Sequence, residues 1–406
     1  MPRNGTSRTS GKPRVLEAFE GQAAASMAAL GEALAHMFDA LGAPIERAVD
    51  VERALGLDKK LAWQVFGLAR DRSTAQIANV PARRSMARLL EAASRHGVGD
   101  APRAAVEQAF ERFEAFTASH AGDRDVLVTM VRGIGSSVDE QAEMRLRRGL
   151  YRGNAHAWGL RMRLFVRSTI FLPGAQDGGR ETPGDEIMLS AHIGLEQLRP
   201  DSRAAIISWA RPSGTAHEAP ARVEPTFTLH EEFCSRPLAA MRHSGVGRGV
   251  ETELTLPAIG RKGATTLYTS QTLRAVGAAK GRYETNNIFC VPVERIVFDL
   301  MVPAGRGDAA SAAAAIYGRP YHPEHVFEKR AADLLPQPVA ATALGEVEAV
   351  PAIDGAPRHA EAVAHVLEQA GHTGARFDLY RCEVRYPVLH TMLSLGVNAA
   401  GAAGAA

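Results

Sequence analysis

An α+β protein is predicted, with an all-helical N-terminal domain and a mainly antiparallel β domain behind it. Two changes of pattern predict it. From Leu16 onward apolar side chains recur every three or four positions, the period of a helix face; after Gly153 they recur every second position, the period of a strand. A chain of 406 residues is also too long for one ordinary core, so two or three domains are expected. The boundaries read from the pattern are a disordered arm at 1–13, a helical domain at 14–152, a β-rich domain at 153–397 and a disordered tail at 398–406.

The arm holds Pro, Gly, Ser, Thr and Arg without periodicity. Leu16, Phe19, Ala23, Met27, Leu30, Leu34, Met37 and Leu41 then define a long amphipathic helix, which Gly42 and Pro44 stop. Such a seam suits either of two partners. One is a second copy, giving a homodimer through residues 16–41; the other is the pair of helices expected at 81–96 and 102–120 of the same chain. The first of those follows Pro81 and carries Met86, Leu89, Leu90 and Ala93. The second is opened by Asp100 and Pro102 and sets Val106, Phe110, Phe113, Thr117 and His120 on one stripe. The polar stretch between Arg72 and Pro81 offers no hairpin, so no wing is expected. Gly133-Ile134-Gly135 lacks the third small residue and the later acidic residue of a dinucleotide loop, and Asp139 to Tyr151 reads as a charged helix.

The most informative stretch runs from Asp50 to Arg72. Asp50 is read as the N-cap of a first short helix, Gly56 as the left-handed residue closing it, and Asp58 as the N-cap of a second. Leu61, Val65 and Leu68, with Ala62, Phe66 and Ala69 beside them, give the second helix an apolar face, so Val65 and Phe66 are expected in the core. Lys59, Lys60, Gln64 and Arg70 are left facing outward.

With Gly56 in the turn, Asp58 as the polar cap, Ala62 six positions on and Phe66 ten positions on, this stretch resembles the helix-turn-helix of bacterial transcription regulators. Glu52 departs from that family, which usually has a small residue four positions before the turn glycine. The resemblance implies double-stranded DNA as partner, touched by Lys59, Lys60 and Gln64 with Arg70 nearer the phosphate backbone. An ordinary helical pair is the other reading.

In the second domain Leu160, Met162, Leu164, Val166 and Ile170 alternate with Arg161, Arg163 and Arg167, as in a half-buried strand. Strands are likewise expected at 186–198, 204–209, 250–257, 265–273, 288–302 and 377–386, with short helices near 323–335 and 360–371; a sandwich or barrel would result.

The formal net charge is +2, and residues 1–155 hold 22 basic against 19 acidic side chains, so DNA contact would have to come from a local patch. Six of the 47 basic residues are lysine and the rest arginine, which with the abundant Ala and Gly suggests a GC-rich bacterial genome. Cys234, Cys290 and Cys382 are odd in number and far apart, which fits a reducing compartment. No signal peptide or membrane span is read, so a soluble, cytoplasmic protein is expected.

No catalytic residue, metal ligand or cofactor is assigned. Ser136, Ser190 and Ser244 lack a nucleophile elbow, and Cys290 is expected as a buried apolar side chain. His322 and His325 have a metal-like spacing interrupted by Pro323. His230-Glu231-Glu232-Phe233-Cys234 mixes ligand types without the His-Glu-x-x-His spacing, and an enzyme would need a cleft gathering His230, Glu231 and Arg236. Gly245-Val246-Gly247-Arg248-Gly249 reads as a flexible connection rather than a phosphate loop. Arg145, Arg147, Arg148, Arg152, Arg161, Arg163 and Arg167 form a basic series, either a second nucleic-acid surface or a solvated or paired face. The expected function is DNA-binding regulation with a C-terminal domain that senses a ligand or mediates assembly. The alternative is a non-enzymatic structural protein whose helices make protein contacts.

Overall fold

The computed structural model describes residues 14–42, 44–134, 140–174, 176–177, 180–181, 183–209, 227–246, 249–274, 281–318, 331–335 and 337–401. The arm at 1–13, the motif around His322 and His325, and residues 402–406 lie outside them. The chain divides into two compact units, Met1–Asp139 and Glu140–Ala406. It is α+β as expected: helices first, then a mainly antiparallel sheet region.

The first unit holds α1 (Arg14–Asp39), α2 (Ala48–Leu55), α3 (Lys59–Arg70), a 3-10 turn (Thr74–Asn79), α4 (Arg83–Arg95), α5 (Asp100–His120) and α6 (Arg124–Ile134). The apolar seam of α1 goes inward: Phe19, Ala23, Met27, Leu30, Leu34 and Met37 are buried in one core with Leu61, Val65 and Leu68 of α3 and Val106, Phe110 and Phe113 of α5. The Phe19 and Phe116 rings stack with centroids 5.6 Å apart. Of the two partners expected for this seam, the structure supplies helices of the same chain, and nothing in it supports a homodimer through residues 16–41.

Helices α1 and α3 approach closely at Gly31. A Cβ built there would lie 2.6 Å from the carbonyl oxygen of Leu68, a backbone atom that cannot turn aside. Only glycine lets the two backbones meet at this separation.

The helix α7 (Glu140–Trp158) belongs to the second unit, which moves the sequence boundary at 152 back to 139/140. The physical reason is what α7 touches. Arg147 is buried and donates to the carbonyl of Arg385 at 3.0 Å, and the Tyr151 and Tyr386 rings lie 5.4 Å apart.

Its strands are β1 (Leu160–Phe171), β2 (Gln176–Asp177), β3 (Arg180–Glu181), β4 (Glu186–Gln197), β5 (Ala204–Trp209), β6 (Thr228–Leu229), β7 (Ala240–Val246), β8 (Gly249–Thr255), β9 (Thr265–Leu273), β10 (Arg282–Ile288), β11 (Val293–Pro303), β12 (Gly307–Tyr317), β13 (Ala341–Val347), β14 (Phe377–Arg385) and β15 (Met392–Ala399), with α8 (His359–Gln369) before β14. A seven-stranded sheet runs β13-β14-β11-β1-β4-β9-β6, in which β1 and β11 are parallel and the other neighbours antiparallel. Smaller sheets run β10-β15-β12 and β5-β8-β7, and β2 pairs with β3. Of the glycine-rich stretch at 245–249, Gly247 and Arg248 lie outside the described residues, and Val246 pairs with Gly249 at the ends of the antiparallel β7 and β8. The strand β15 reaches Ala399, and Asn398 accepts from Arg282 at 2.8 Å, so the tail expected from 398 starts too early.

Both faces of the large sheet are covered. Leu164, Val166, Ile170, Val297 and Leu379 lie under Ala362, Val363, Val366 and Leu367 of α8. Phe165, Phe298, Leu300 and Tyr380 pack with Ile316, Leu393, Leu395 and Val397 on the other side. Hence β1 is buried along most of both faces rather than half-buried as its first residues suggest.

That interior holds polar groups with specific partners. Asp299, fully buried on β11, accepts two hydrogen bonds from Arg381 on β14, at 2.7 and 2.8 Å. His359 Nε2 lies 2.8 Å from Ser168 Oγ, and its Nδ1 and that of His192 have no partner among the described residues.

Two outcomes are expected. Gly31→Ala adds a better helix former, worth about 1 kcal/mol, yet sets a methyl against the Leu68 carbonyl, an overpacking that costs about 1–3 kcal/mol. Denaturant unfolding should show net destabilisation; a stabilised variant would mean that α1 and α3 do not meet at that separation.

The second outcome concerns pH. Burial pushes both His192 and His359 down to about 4, helped by Arg167 and Arg381 respectively. In the unfolded chain they titrate near the ordinary value of about 6.5, so it binds protons first; their contribution is complete above about pH 6.5 and falls away toward pH 4. Each ring should account for about 1.4 kcal/mol per pH unit in the middle of that window. Urea unfolding across the window should show His359→Gln flattening the fall by about one proton's worth, and an unchanged slope would contradict a neutral buried ring.

Candidate functional site

The helix pair forms as its caps dictate. Gly56 adopts φ 62° and closes α2 by donating its N–H to the Glu52 carbonyl, which Leu57 N also reaches at 3.2 Å. Asp58 caps α3 by accepting from Leu61 N at 3.0 Å. That bond, with Arg88 at 3.1 Å, holds the Asp58 carboxyl below its ordinary range. Asp50 is a correction: it sits at the third position of α2, not at the N-cap, and reaches back to accept from Arg47 N at 2.8 Å.

Leu61, Ala62, Val65, Leu68 and Ala69 are buried, which fixes the rotation of α3. Phe66 packs against the same core but less deeply than expected. It is only half-buried, and the Arg70 guanidinium lies over its ring at 5.5 Å. Lys59, Lys60 and Arg70 are exposed and Gln64 is half-buried. Trp63 joins them with 57% of its surface exposed, a residue the sequence reading passed over. Its signal was available: it lies four positions after Lys59 and seven before Arg70, off the apolar stripe. Among the described residues Lys59 and Lys60 have no acidic partner. After Arg72 the chain makes the 3-10 turn at Thr74–Asn79, and the described residues of this unit contain no strand.

Three members of the arginine series, Arg147, Arg161 and Arg167, are engaged within the second unit. Arg147 pairs with Glu143 at 3.5 Å. Arg161 gives two hydrogen bonds to Glu196 Oε2, at 3.0 and 2.7 Å. Arg167 donates to Asn286 O at 3.1 Å and Ser190 Oγ at 3.3 Å. Arg161, Arg163 and Arg261 line a cavity of about 490 Å³, but Glu196 and Glu294 line it too.

A second cluster lies where a 3-10 turn (Glu231–Phe233) meets α8. His365 Nε2 is 2.9 Å from Glu232 Oε1 and 2.8 Å from Gln369 Nε2. His230 Nε2 is 2.8 Å from Ser270 Oγ, and the two imidazoles meet edge to face with centroids 5.5 Å apart. Burial lowers the pKa of His230 and keeps its ring neutral near pH 7. Of the residues expected to gather in a cleft, Glu231 pairs with Arg236 at 3.3 Å, while His230 meets Glu232 and His365 instead. No local spacing pointed to His365, because α8 brings it from far along the chain. Cys234 offers no activated nucleophile: burial raises its pKa, and its sulfur accepts from Tyr268 N at 3.4 Å. Cys290, expected as buried, is exposed between β10 and β11.

No family model matches the chain, and no curated protein matches it. A solved structure described as a "putative protease" from Parabacteroides distasonis is similar at 9% identity and a TM-score of 0.26, over 59% of this chain and 40% of that one. A likeness that slight carries no argument about fold or activity.

Proposed function

We propose that the N-terminal unit binds double-stranded DNA through α3, and that the chain acts as a regulator whose β-rich unit senses a ligand or mediates assembly. The observation that carries this reading is the division of α3: one side is locked into the core, while the other presents Lys59, Lys60, Trp63 and Arg70. Two lysines without acidic partners among the described residues suit phosphate contact, and a tryptophan beside them suits contact with sugar or base surfaces. Cytoplasmic placement belongs to the same proposal and is supported by three cysteines that form no disulfide. No described helix is long and apolar enough to cross a membrane.

Trp63 also favours a second reading, protein assembly through the same helix, since exposed tryptophans anchor protein interfaces. Salt separates the two. A mobility assay against random genomic duplexes should show affinity falling steeply as salt rises. Replacing both Lys59 and Lys60 by Ala should flatten the log–log slope by about 1.8, at about 0.9 for each phosphate no longer neutralised. No shifted fragment at low salt, or a slope that parent and variant share, would leave assembly as the better reading.

A further inference from the structure

We propose that His230, Glu232 and His365 form a binding site for one Zn²⁺-class ion, with a fourth position left to water. The site stands apart from the DNA-binding reading and does not depend on it. One ligand atom from each of the three residues lies within 4.8 Å of the other two. A tetrahedral zinc with bonds of about 2.0–2.2 Å to nitrogen and oxygen needs its ligands about 3.3–3.6 Å apart. The His365–Glu232 contact, at 2.9 Å, is a little closer than that, so an ion set between them parts them by a few tenths of an ångström. No two of the ligand atoms are more than 4.8 Å apart, so rotation of the His365 ring and of the Glu232 side chain, both partly exposed, has to close the other two separations by no more than about 1.5 Å.

Three features favour an ion over a plain surface ion pair. The donor set of two imidazoles and one carboxylate suits a borderline cation such as Zn²⁺, whereas Ca²⁺ and Mg²⁺ prefer oxygen throughout. Ser270 Oγ, at 2.8 Å from His230 Nε2, orients that ring as an outer partner of a metal ligand does, while Gln369 Nε2, at 2.8 Å from the same His365 nitrogen that faces Glu232, swings aside when an ion binds there. The turn itself is braced from outside the trio: the Arg358 guanidinium lies over the Phe233 ring at 4.6 Å and donates to the Glu232 carbonyl. Ser270 and Gln369 also line a cavity of about 180 Å³ with Thr228, Thr272 and His372. The ion reaches the trio from solvent past His365 and Glu232, which keep 30% and 47% of their side-chain surface exposed, and water takes the fourth position, as in zinc sites with three protein ligands.

Metal binding by the full chain decides the matter. Equilibrium dialysis should find one tightly held Zn²⁺ per molecule, and Co²⁺ in its place should show the intense visible absorption of a four-coordinate ion. His365→Ala and Glu232→Gln, both changes at accessible side chains, should each weaken Zn²⁺ binding at least tenfold and abolish the Co²⁺ absorption, with circular dichroism like the parent. A parent that takes up no Zn²⁺, or variants that bind it as the parent does through other histidines and cysteines, would overturn the proposal. Should His365→Ala fail to fold, Glu232→Gln alone decides, since it keeps the shape of the side chain and removes only its charge.

Discussion

The close approach of α1 and α3 at Gly31 sets what the first unit can show to its surroundings. With the Leu68 carbonyl standing over a residue that has no side chain, α3 lies closer to α1 than any other residue at position 31 would allow. Leu61, Val65 and Leu68 then fill the core against Met27, Leu30 and Leu34. Because the helix period is 3.6 residues, fixing those positions also fixes the opposite side, where Lys59, Lys60, Trp63 and Arg70 stand. The left-handed Gly56 and the cap at Asp58 decide where that side begins. A local packing constraint thus determines the composition of a surface that touches none of the packed atoms.

The second unit obeys a different constraint, burial of the large sheet on both faces. Once α8 covers one face and the sheet containing β15 the other, the polar groups inside must be paired, and Asp299 with Arg381 ties β11 to β14 in that way. The same docking of α8 carries His365 to Glu232 and His230. A structural requirement for covering apolar strands has brought three metal-competent side chains together.

What the sequence revealed follows physical range. Caps and seams are local, so Gly56, Asp58 and the stripe on α1 were legible, as was the change from helix to strand period. The partner of the α1 seam was not, because periodicity says that a face is buried but not by what. Phe66 lies at the margin of the stripe, so one side of its ring packs against the core while Arg70 lies over it. β12, largely alanine, and β10, with its polar Asn286 and Asn287, carry no alternating pattern to read. His365 and the boundary at 139/140 depend on long-range contacts of α8 and α7, which no window of sequence contains.

The central claim is that the outward side of α3 is a nucleic-acid surface, and Trp63 reports on it directly. Hydroxyl-radical footprinting of the full chain, read by mass spectrometry, compares oxidation of Trp63 with and without saturating duplex DNA at low salt, normalised to the exposed Trp158 of the other unit. Oxidation of Trp63 is expected to fall severalfold when duplex is added and to recover as salt releases it. A rate for Trp63 that stays unchanged at saturating duplex would contradict the account.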